Sequence, residues 1–186
     1  MRIVAGQFKG RAIVAPKTRS TRPTSDRARE SVFNMLAHSD DAPSLNGARV
    51  IDLFAGSGAL GFEAISRGAG FCLFVETAHA ARGAIRDNVE ALGLFGVTRV
   101  HRRSATSLGD MPASIGRPFN IAFMDPPYHK GLVEPCLKIL NDGGWLSNDV
   151  LIVLETAVDE TPDIAGWTCV NHREIGAAKV WFLKRQ

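Results

Sequence analysis

From Ala48 onward, short apolar runs alternate with stretches whose apolar residues recur every three or four positions. The runs over 49–54, 71–76, 97–103, 119–125 and 150–155 have the length of buried strands. Between them, 59–67, 78–92 and 131–140 carry the helical period, and the first two end at Gly68 and Gly93, as helices commonly do. A weaker helix or a loop is expected over 107–115. Two further β-like runs, 167–174 and 179–184, follow Pro162 with no helix between them. Strand–helix alternation implies a parallel, doubly wound sheet, and the final pair implies an antiparallel hairpin at one edge. The expected class is therefore α/β, built on seven strands.

Residues 1–44 follow another pattern. Within 2–15, two short β-branched runs flank Lys9-Gly10, which predicts a β-hairpin. Pro16 ends it. Pro23 then sets an extended entry, Thr24 or Ser25 offers a helix cap, and Ala28, Val32, Met35 and Leu36, with Phe33, predict an amphipathic helix ending near Ala37. The polar stretch 39–44 reads as a linker. The expected organisation is an N-terminal extension over 1–44 and a main body over 45–186.

Charge sharpens this division. Residues 1–29 hold eight Lys and Arg against Asp26 alone, a net +7, so with +3 overall the remainder carries −4. A basic arm on a mildly acidic body points to a polyanionic partner, most simply nucleic acid. Arg27 and Arg29 fall on the first turn of the expected helix, and with Lys9, Arg11, Arg22 and Thr24 they are the candidate nucleic-acid contacts. At 186 residues, 45% hydrophobic and 22% charged, the chain fits a single globular domain. Its apolar runs fall short of the roughly 20 residues of a membrane helix, and 1–7 lacks a signal-peptide core. Cys72, Cys136 and Cys169 are odd in number and widely spaced, suggesting free thiols in a reducing cytoplasm, with no disulfide framework and no metal site. A monomer is the default expectation.

The candidate chemistry lies at two strand ends. Asp52-Leu53-Phe54-Ala55-Gly56-Ser57-Gly58-Ala59-Leu60-Gly61 passes from a strand through a glycine turn into a helix, where the backbone approaches a ligand closely. Gly56-x-Gly58-x-x-Gly61 also matches the dinucleotide fingerprint, on its own a weak signal. Asp52 discriminates: a carboxylate there repels a pyrophosphate and attracts the cationic groups of S-adenosylmethionine. Glu76 ends the next strand, where a carboxylate can accept both hydroxyls of a ribose. After the third strand, Ser104 and Ala105 would lie near an adenine.

The second stretch, Asp125-Pro126-Pro127-Tyr128, follows the apolar strand 121–124. Consecutive prolines stiffen the turn and keep Asp125 extended. The Asp125 carboxylate and a neighbouring backbone carbonyl are then two fixed acceptors for the two hydrogens of a planar exocyclic amine. Gripping both lets the nitrogen become tetrahedral and aim its lone pair at a methyl group, by positioning and electrostatics rather than by a strong base. Tyr128, the chain's one tyrosine, offers a ring to stack on the base.

Asp-Leu-Phe-Ala-Gly-Ser-Gly followed by Asp-Pro-Pro-Tyr resembles the Rossmann-like class I methyltransferases that modify exocyclic amines of bases. The opening Met-Arg-Ile-Val-Ala-Gly-Gln-Phe-Lys-Gly-Arg, and then Arg-Pro-Thr-Ser-Asp-Arg-Ala-Arg-Glu-Ser-Val-Phe-Asn, are similar to the RsmD family. The likeness extends through Gly143-Gly144-Trp145-Leu146 to Lys179-Val180-Trp181-Phe182. It implies a seven-stranded methyltransferase sheet with an N-terminal β-hairpin extension, and transfer of methyl from S-adenosylmethionine to a guanine N2 of small-subunit (16S) ribosomal RNA. By the same resemblance Ala55, Gly56, Ser57 and Gly58 wrap the methionine end, Glu76 takes the ribose, and Ser104 and Ala105 flank the adenine. Asp125 to Tyr128 would hold the guanine, with Asp125 also bordering the cofactor, while Arg22, Pro23 and Thr24 lie near the site. The substrate implied is RNA within a small-subunit particle or an assembly intermediate. Thr77-Ala78-His79 departs from the family, whose members more often place a polar or acidic residue just after the glutamate, so Thr77 is an adenosine contact of unsettled detail.

Three other functions compete. A DNA adenine-N6 or cytosine-N4 methyltransferase would use the same acceptor pair, but no separate DNA-recognition domain fits in what remains of the chain. An inactive nucleic-acid-binding module is disfavoured by two intact ligand loops. An NAD-dependent oxidoreductase lacks a hydride-transfer acid/base residue; His129 reads as a loop residue facing RNA or solvent.

Overall fold

The computed structural model describes residues 1–16 and 26–186. Its elements run α1 (Asp26–Ala37), β1 (Arg49–Leu53), α2 (Ala59–Ser66), β2 (Phe71–Val75), α3 (His79–Leu92), β3 (Thr98–His101), β4 (Phe119–Met124), α4 (Val133–Asp142), β5 (Leu146–Ala157), β6 (Trp167–Ile175) and β7 (Ala178–Arg185). Seven strands form one sheet in the order β3-β2-β1-β4-β5-β7-β6. β1 to β5 run parallel, while β7 pairs antiparallel with both β5 and β6. This is the α/β sheet with an antiparallel edge hairpin that the apolar pattern implies.

Both faces of the parallel strands are covered, which explains why they read as continuous apolar runs instead of alternating ones. On one face Val50, Phe74, Phe123 and Val153 meet Phe62 of α2, Ile85 and Val89 of α3, and Val32, Phe33 and Leu36 of α1. On the other face Ile51, Leu73, Ala122 and Ile152 meet Val133, Cys136, Leu137 and Leu140 of α4, together with Trp145. Phe33 sits with its ring centre 5.5 Å from that of Phe123, so α1 is stapled to the middle of the sheet. Burying each such side chain stabilises the fold by roughly 1.5–3 kcal/mol.

Three local expectations sharpen. Of the two expectations for 107–115, a weak helix or a loop, the loop holds, with one 3₁₀ turn at Ala113–Ile115, because Gly109 takes φ +68° and Pro112 withholds a backbone donor. The loop is held from outside, with Trp145 Nε1 donating to the Gly109 carbonyl at 2.7 Å and the Met111 N–H donating to the Gly143 carbonyl at 2.8 Å. β5 begins at Leu146, ahead of the apolar run, because Leu146 pairs with Phe119 before a register shift restores the regular ladder at Ile121 and Leu151.

The N-terminal hairpin contracts to a single antiparallel bridge between Arg2 and Ala12, flanked by the Ile3 N–H donating to the Arg11 carbonyl at 3.0 Å. The ladder stops there because the next two backbone donors are drawn elsewhere. Val4 and Ala5 give their N–H groups to the two oxygens of Glu63, at 2.8 and 3.0 Å. Gln7 and Phe8 then give theirs to the carbonyl and hydroxyl of Ser66, at 2.7 and 2.9 Å. Gly6 makes this approach possible: at φ +82°, a Cβ there would lie 1.9 Å from the Ser66 carbonyl oxygen. The segment is thus hydrogen-bonded to α2.

Glu63 is fully buried and also accepts from Arg67 Nε at 2.8 Å. Glu63→Ala would strand two backbone donors and a guanidinium, and is expected to lower the unfolding free energy by about 3 kcal/mol. Denaturant unfolding checks this, and Glu63→Gln, which keeps one acceptor oxygen, should lose less.

Candidate active site

In the strand order, β1 and β4 are neighbours although the chain visits two other strands between them, so the sheet changes winding direction there. Open α/β sheets bind ligands in the crevice outside the carboxyl ends at such a point. The glycine loop leaves β1 and the Asp-Pro-Pro-Tyr loop leaves β4, which brings the two sequence motifs side by side at the carboxyl edge of the sheet.

The glycine loop is built tightly. Phe54, at φ +58°, turns the chain off the strand, and the Ala55 N–H then bonds the Val75 carbonyl at 3.1 Å. The Gly58 N–H closes onto the Ala55 carbonyl at 2.7 Å, and the Gly58 carbonyl starts α2 by accepting from Phe62. The glycines do different work. A Cβ on Gly56 would meet only the Phe54 carbonyl, 3.9 Å away, so its backbone opens on the crevice. A Cβ on Gly61 would strike Phe74 at 2.3 Å and Cys72 at 2.6 Å, so that glycine serves helix–sheet packing. An open backbone beside a helix start suits close approach by the methionine end of S-adenosylmethionine.

Carboxylates tie the loop to its neighbours. Asp52, 3% exposed, accepts the Gly61 N–H on Oδ2 at 3.0 Å. Glu76, just beyond β2, accepts the Gly56 N–H on Oε2 at 2.9 Å and the Ala78 N–H on Oε1 at 2.8 Å. It therefore links the first two crossover loops, and each oxygen keeps a further lone pair for a ligand hydroxyl. Burial pushes the Asp52 carboxyl up to about 8; the Gly61 N–H opposes the rise and the nearby Glu76 charge adds to it. Burial also lifts Asp125 well above the ordinary carboxylate range, with the charges of Glu155 and Asp52 adding to the effect. Three residues named from the sequence, Asp52, Glu76 and Asp125, thus share one electrostatic environment.

The other candidates are placed as follows. Thr77 is exposed, and its carbonyl accepts from the Arg82 guanidinium. The Ser104 hydroxyl is engaged locally, 2.9 Å from the Thr106 hydroxyl, while Ala105 is buried against the second core face. Pro126 is buried, Pro127 is exposed, and Tyr128 is half-buried with its hydroxyl donating to Glu155 Oε1 at 2.6 Å. Lys9, Arg11 and Arg27 are exposed. Arg22 and Thr24 lie outside the described residues.

Arg29 requires correction. It is fully buried, donating to the Arg2 carbonyl at 2.5 Å and pairing with Asp26 at 2.8 Å. Its charge holds the N-terminal segment against α1 and is not available to RNA. Two residues at the site go beyond the sequence expectations. Glu155 ends an apolar run just as Glu76 and Asp125 do, and that repeated pattern is the signal that could have found it. Asn88 is buried in α3, where it accepts the Val14 N–H at 2.8 Å and donates to the carbonyls of Val14 and Ser57 at 3.0 and 3.3 Å. Nothing in the helical pattern marks it.

Comparison with known proteins gives the same picture. Residues 1–184 match a family model described as conserved hypothetical protein 95. Ribosomal RNA small subunit methyltransferase D of Escherichia coli (strain K12) is 40% identical over 182 residues, covering 97% of this chain and 86% of the relative. Its namesake from Haemophilus influenzae is 32% identical over 180 residues, covering 95% and 89%. A solved Escherichia coli structure described as a methyltransferase superposes with a TM-score of 0.83 at 36% identity, covering 100% of this chain and 98% of that one. The match takes in the N-terminal segment as well as the sheet, and the chain belongs to this family, the RsmD methyltransferases.

Proposed function

We propose that the protein transfers the methyl group of S-adenosylmethionine to the exocyclic N2 amine of a guanine in small-subunit ribosomal RNA. The observation that carries the reading is that neighbouring parallel strands β1 and β4 bring Asp125 and the open backbone of Gly56 to the same carboxyl edge of the sheet. The relatives' name, ribosomal RNA small subunit methyltransferase D, supports the choice of RNA. When bound, S-adenosylmethionine supplies an electrophilic methyl group. Ala55 to Gly58 would hold its methionine end, Glu76 its ribose, and Thr77, Ser104 and Ala105 would border the adenosine. Asp52 would face its ammonium group.

The chain's own task is to present the amine. Asp125 and a backbone carbonyl of the proline turn accept the two N–H groups, so the nitrogen lone pair points across the crevice. Tyr128 stacks on the base. On taking the methyl group the amine nitrogen would carry positive charge and would shed a proton to solvent. Once ionised, Asp125 would favour a positively charged nitrogen during the step.

Lys9, Arg11 and Arg27, with Arg22 and Thr24, would contact RNA, in a particle or assembly intermediate, and the protein would act as a cytoplasmic monomer. Among the described residues, no helix is long and apolar enough to cross a membrane. The test is labelled methyl transfer to small subunits, naked ribosomal RNA and DNA, with the modified nucleoside identified by mass spectrometry. N2-methylguanosine from ribosomal substrates is expected; N6-methyladenine or N4-methylcytosine in DNA would refute the reading. Reversing Lys9, Arg11 and Arg27 to Glu is expected to weaken RNA binding and to lower its salt slope by about 0.7–0.9 for each phosphate no longer neutralised. An unchanged slope would remove these residues from the interface.

A further inference from the structure

We propose that Glu155 is a positioning residue for methyl transfer: by accepting the Tyr128 hydroxyl, it fixes the tyrosine ring against the target base. This rests on the role given to the Asp-Pro-Pro-Tyr loop in the proposed function.

The sheet sets the geometry. β4 and β5 are parallel, with Phe123 beside Val153 and Met124 beside Leu154. Side chains alternate between faces, so the next residues, Asp125 and Glu155, stand beside each other on the face of Phe123 and Val153. Pairing with β7 agrees, since Glu155 lies opposite Val180, which belongs to that same face. Glu155 is therefore set by β5, which pairs with β4 up to Leu154 and with Val180 of β7 at Glu155 itself.

Tyr128 stands in the loop, four residues beyond the last residue of β4. Its hydroxyl reaches Glu155 Oε1 at 2.6 Å, a bond between residues 27 positions apart. The next residue is anchored to the same region: His129, at φ +57°, donates its N–H to Glu160 Oε1 at 2.6 Å, and Glu160 accepts the Ala157 N–H at 2.9 Å. The loop is thus fixed to β4 at its start and to the end of β5 at its finish. Only a ring held in one plane serves as a platform for a base that must be aimed to within a fraction of an ångström.

A phenylalanine at 128 keeps the stacking surface and loses the anchor; a glutamine at 155 keeps an acceptor oxygen and loses the charge. These two changes separate anchoring from electrostatics. The experiment measures kcat and KM on small subunits for Tyr128→Phe, Glu155→Ala, Glu155→Gln and the Tyr128→Phe/Glu155→Ala double variant. It also measures S-adenosylmethionine affinity and thermal unfolding. Tyr128→Phe and Glu155→Ala are each expected to lose about 10-fold in kcat/KM, the scale of one neutral-to-charged hydrogen bond. The double variant should lose no more than the worse single, because both remove the same bond. At a pH high enough that Asp125 is ionised in every variant, Glu155→Gln should stay within about 3-fold of wild type, and cofactor affinity should be unchanged. Losses that multiply in the double variant, or a glutamine as damaging as an alanine, would overturn the proposal. So would wild-type turnover with only a lowered melting temperature.

A second readout needs no RNA. The chain has a single tyrosine, so ring-labelled protein gives a ¹³Cζ signal for Tyr128 alone. It is expected to shift in Glu155→Ala and to remain near its wild-type position in Glu155→Gln. A signal that ignores Glu155→Ala would overturn the anchor. Failure of the wild-type protein to methylate ribosomal RNA would strike the proposed function and leave this signature standing. Should Glu155→Ala fail to fold, wild-type kcat/KM in Tyr128→Phe overturns the proposal by itself.

Discussion

Asp125→Ala is expected to reduce kcat by about 10³-fold, or roughly 4 kcal/mol of transition-state stabilisation, while S-adenosylmethionine affinity changes by less than about 3-fold. The carboxylate is proposed to accept an N–H that becomes more acidic as the nitrogen acquires positive charge, so the bond strengthens toward the transition state. Removing an interaction of that kind lowers kcat and kcat/KM together. Asp125→Asn keeps a carbonyl acceptor and should lose less than alanine. It should also flatten the acid side of the rate profile. The carboxyl is held well above its ordinary range by burial, Glu155 and Asp52, so wild-type activity must rise with pH as the acceptor ionises. Single-turnover rates across pH, with cofactor binding measured separately, decide the matter. Near wild-type turnover in Asp125→Ala would remove the residue from the chemistry.

Asp52→Asn is expected to stabilise the ligand-free protein while weakening its hold on the cofactor. The folded carboxyl titrates at about 8 against 3.8 ordinarily, chiefly because it is buried. Between those limits the native state binds the extra proton, so stability falls as pH rises through this window and levels off above it. At about 1.36 kcal/mol per unit, the full rise corresponds to a native-state penalty of roughly 6 kcal/mol at high pH. Asparagine keeps an acceptor for the Gly61 N–H and carries no charge, so several kcal/mol of unfolding free energy should be gained at pH 9 and almost none at pH 4. Lost attraction for the methionine ammonium should meanwhile raise the dissociation constant by about 10-fold, or 1.4 kcal/mol. Denaturant unfolding at the two pH values and calorimetric titration of the cofactor test both halves. Equal gains at both pH values would show that the buried charge is not the cause.

The strands and the acids that end them are legible because burial on both faces leaves uninterrupted apolar runs, and a carboxylate at the end of one stands out. Asp125 and Glu76 are visible in that way. Arg29 misleads for a general reason: an arginine on the first turn of an amphipathic helix looks solvent-facing, and only the tertiary approach of the Arg2 carbonyl encloses it. Glu155 carries the same strand-end signal as Asp125, but its partner is set by the β4/β5 register and the fold-back of a loop, neither of which the local pattern encodes. The hairpin is overdrawn because β-branched runs predict pairing partners across a turn. They say nothing of Glu63, which captures the donors first.

Those captured donors have a bearing on how the protein is made. Val4 meets Glu63, Val14 meets Asn88 and Arg11 meets Ala91, across 59, 74 and 80 residues of chain. Translation proceeds at about 5–20 residues per second, so this segment waits for seconds before its partners on α2 and α3 have been made. Until then a strongly basic stretch of nascent chain is tethered beside a surface rich in ribosomal RNA. Its docking onto α2 and α3 can therefore come only after the chain has been made through Ala91, which sets the closing of the N-terminal segment late in folding.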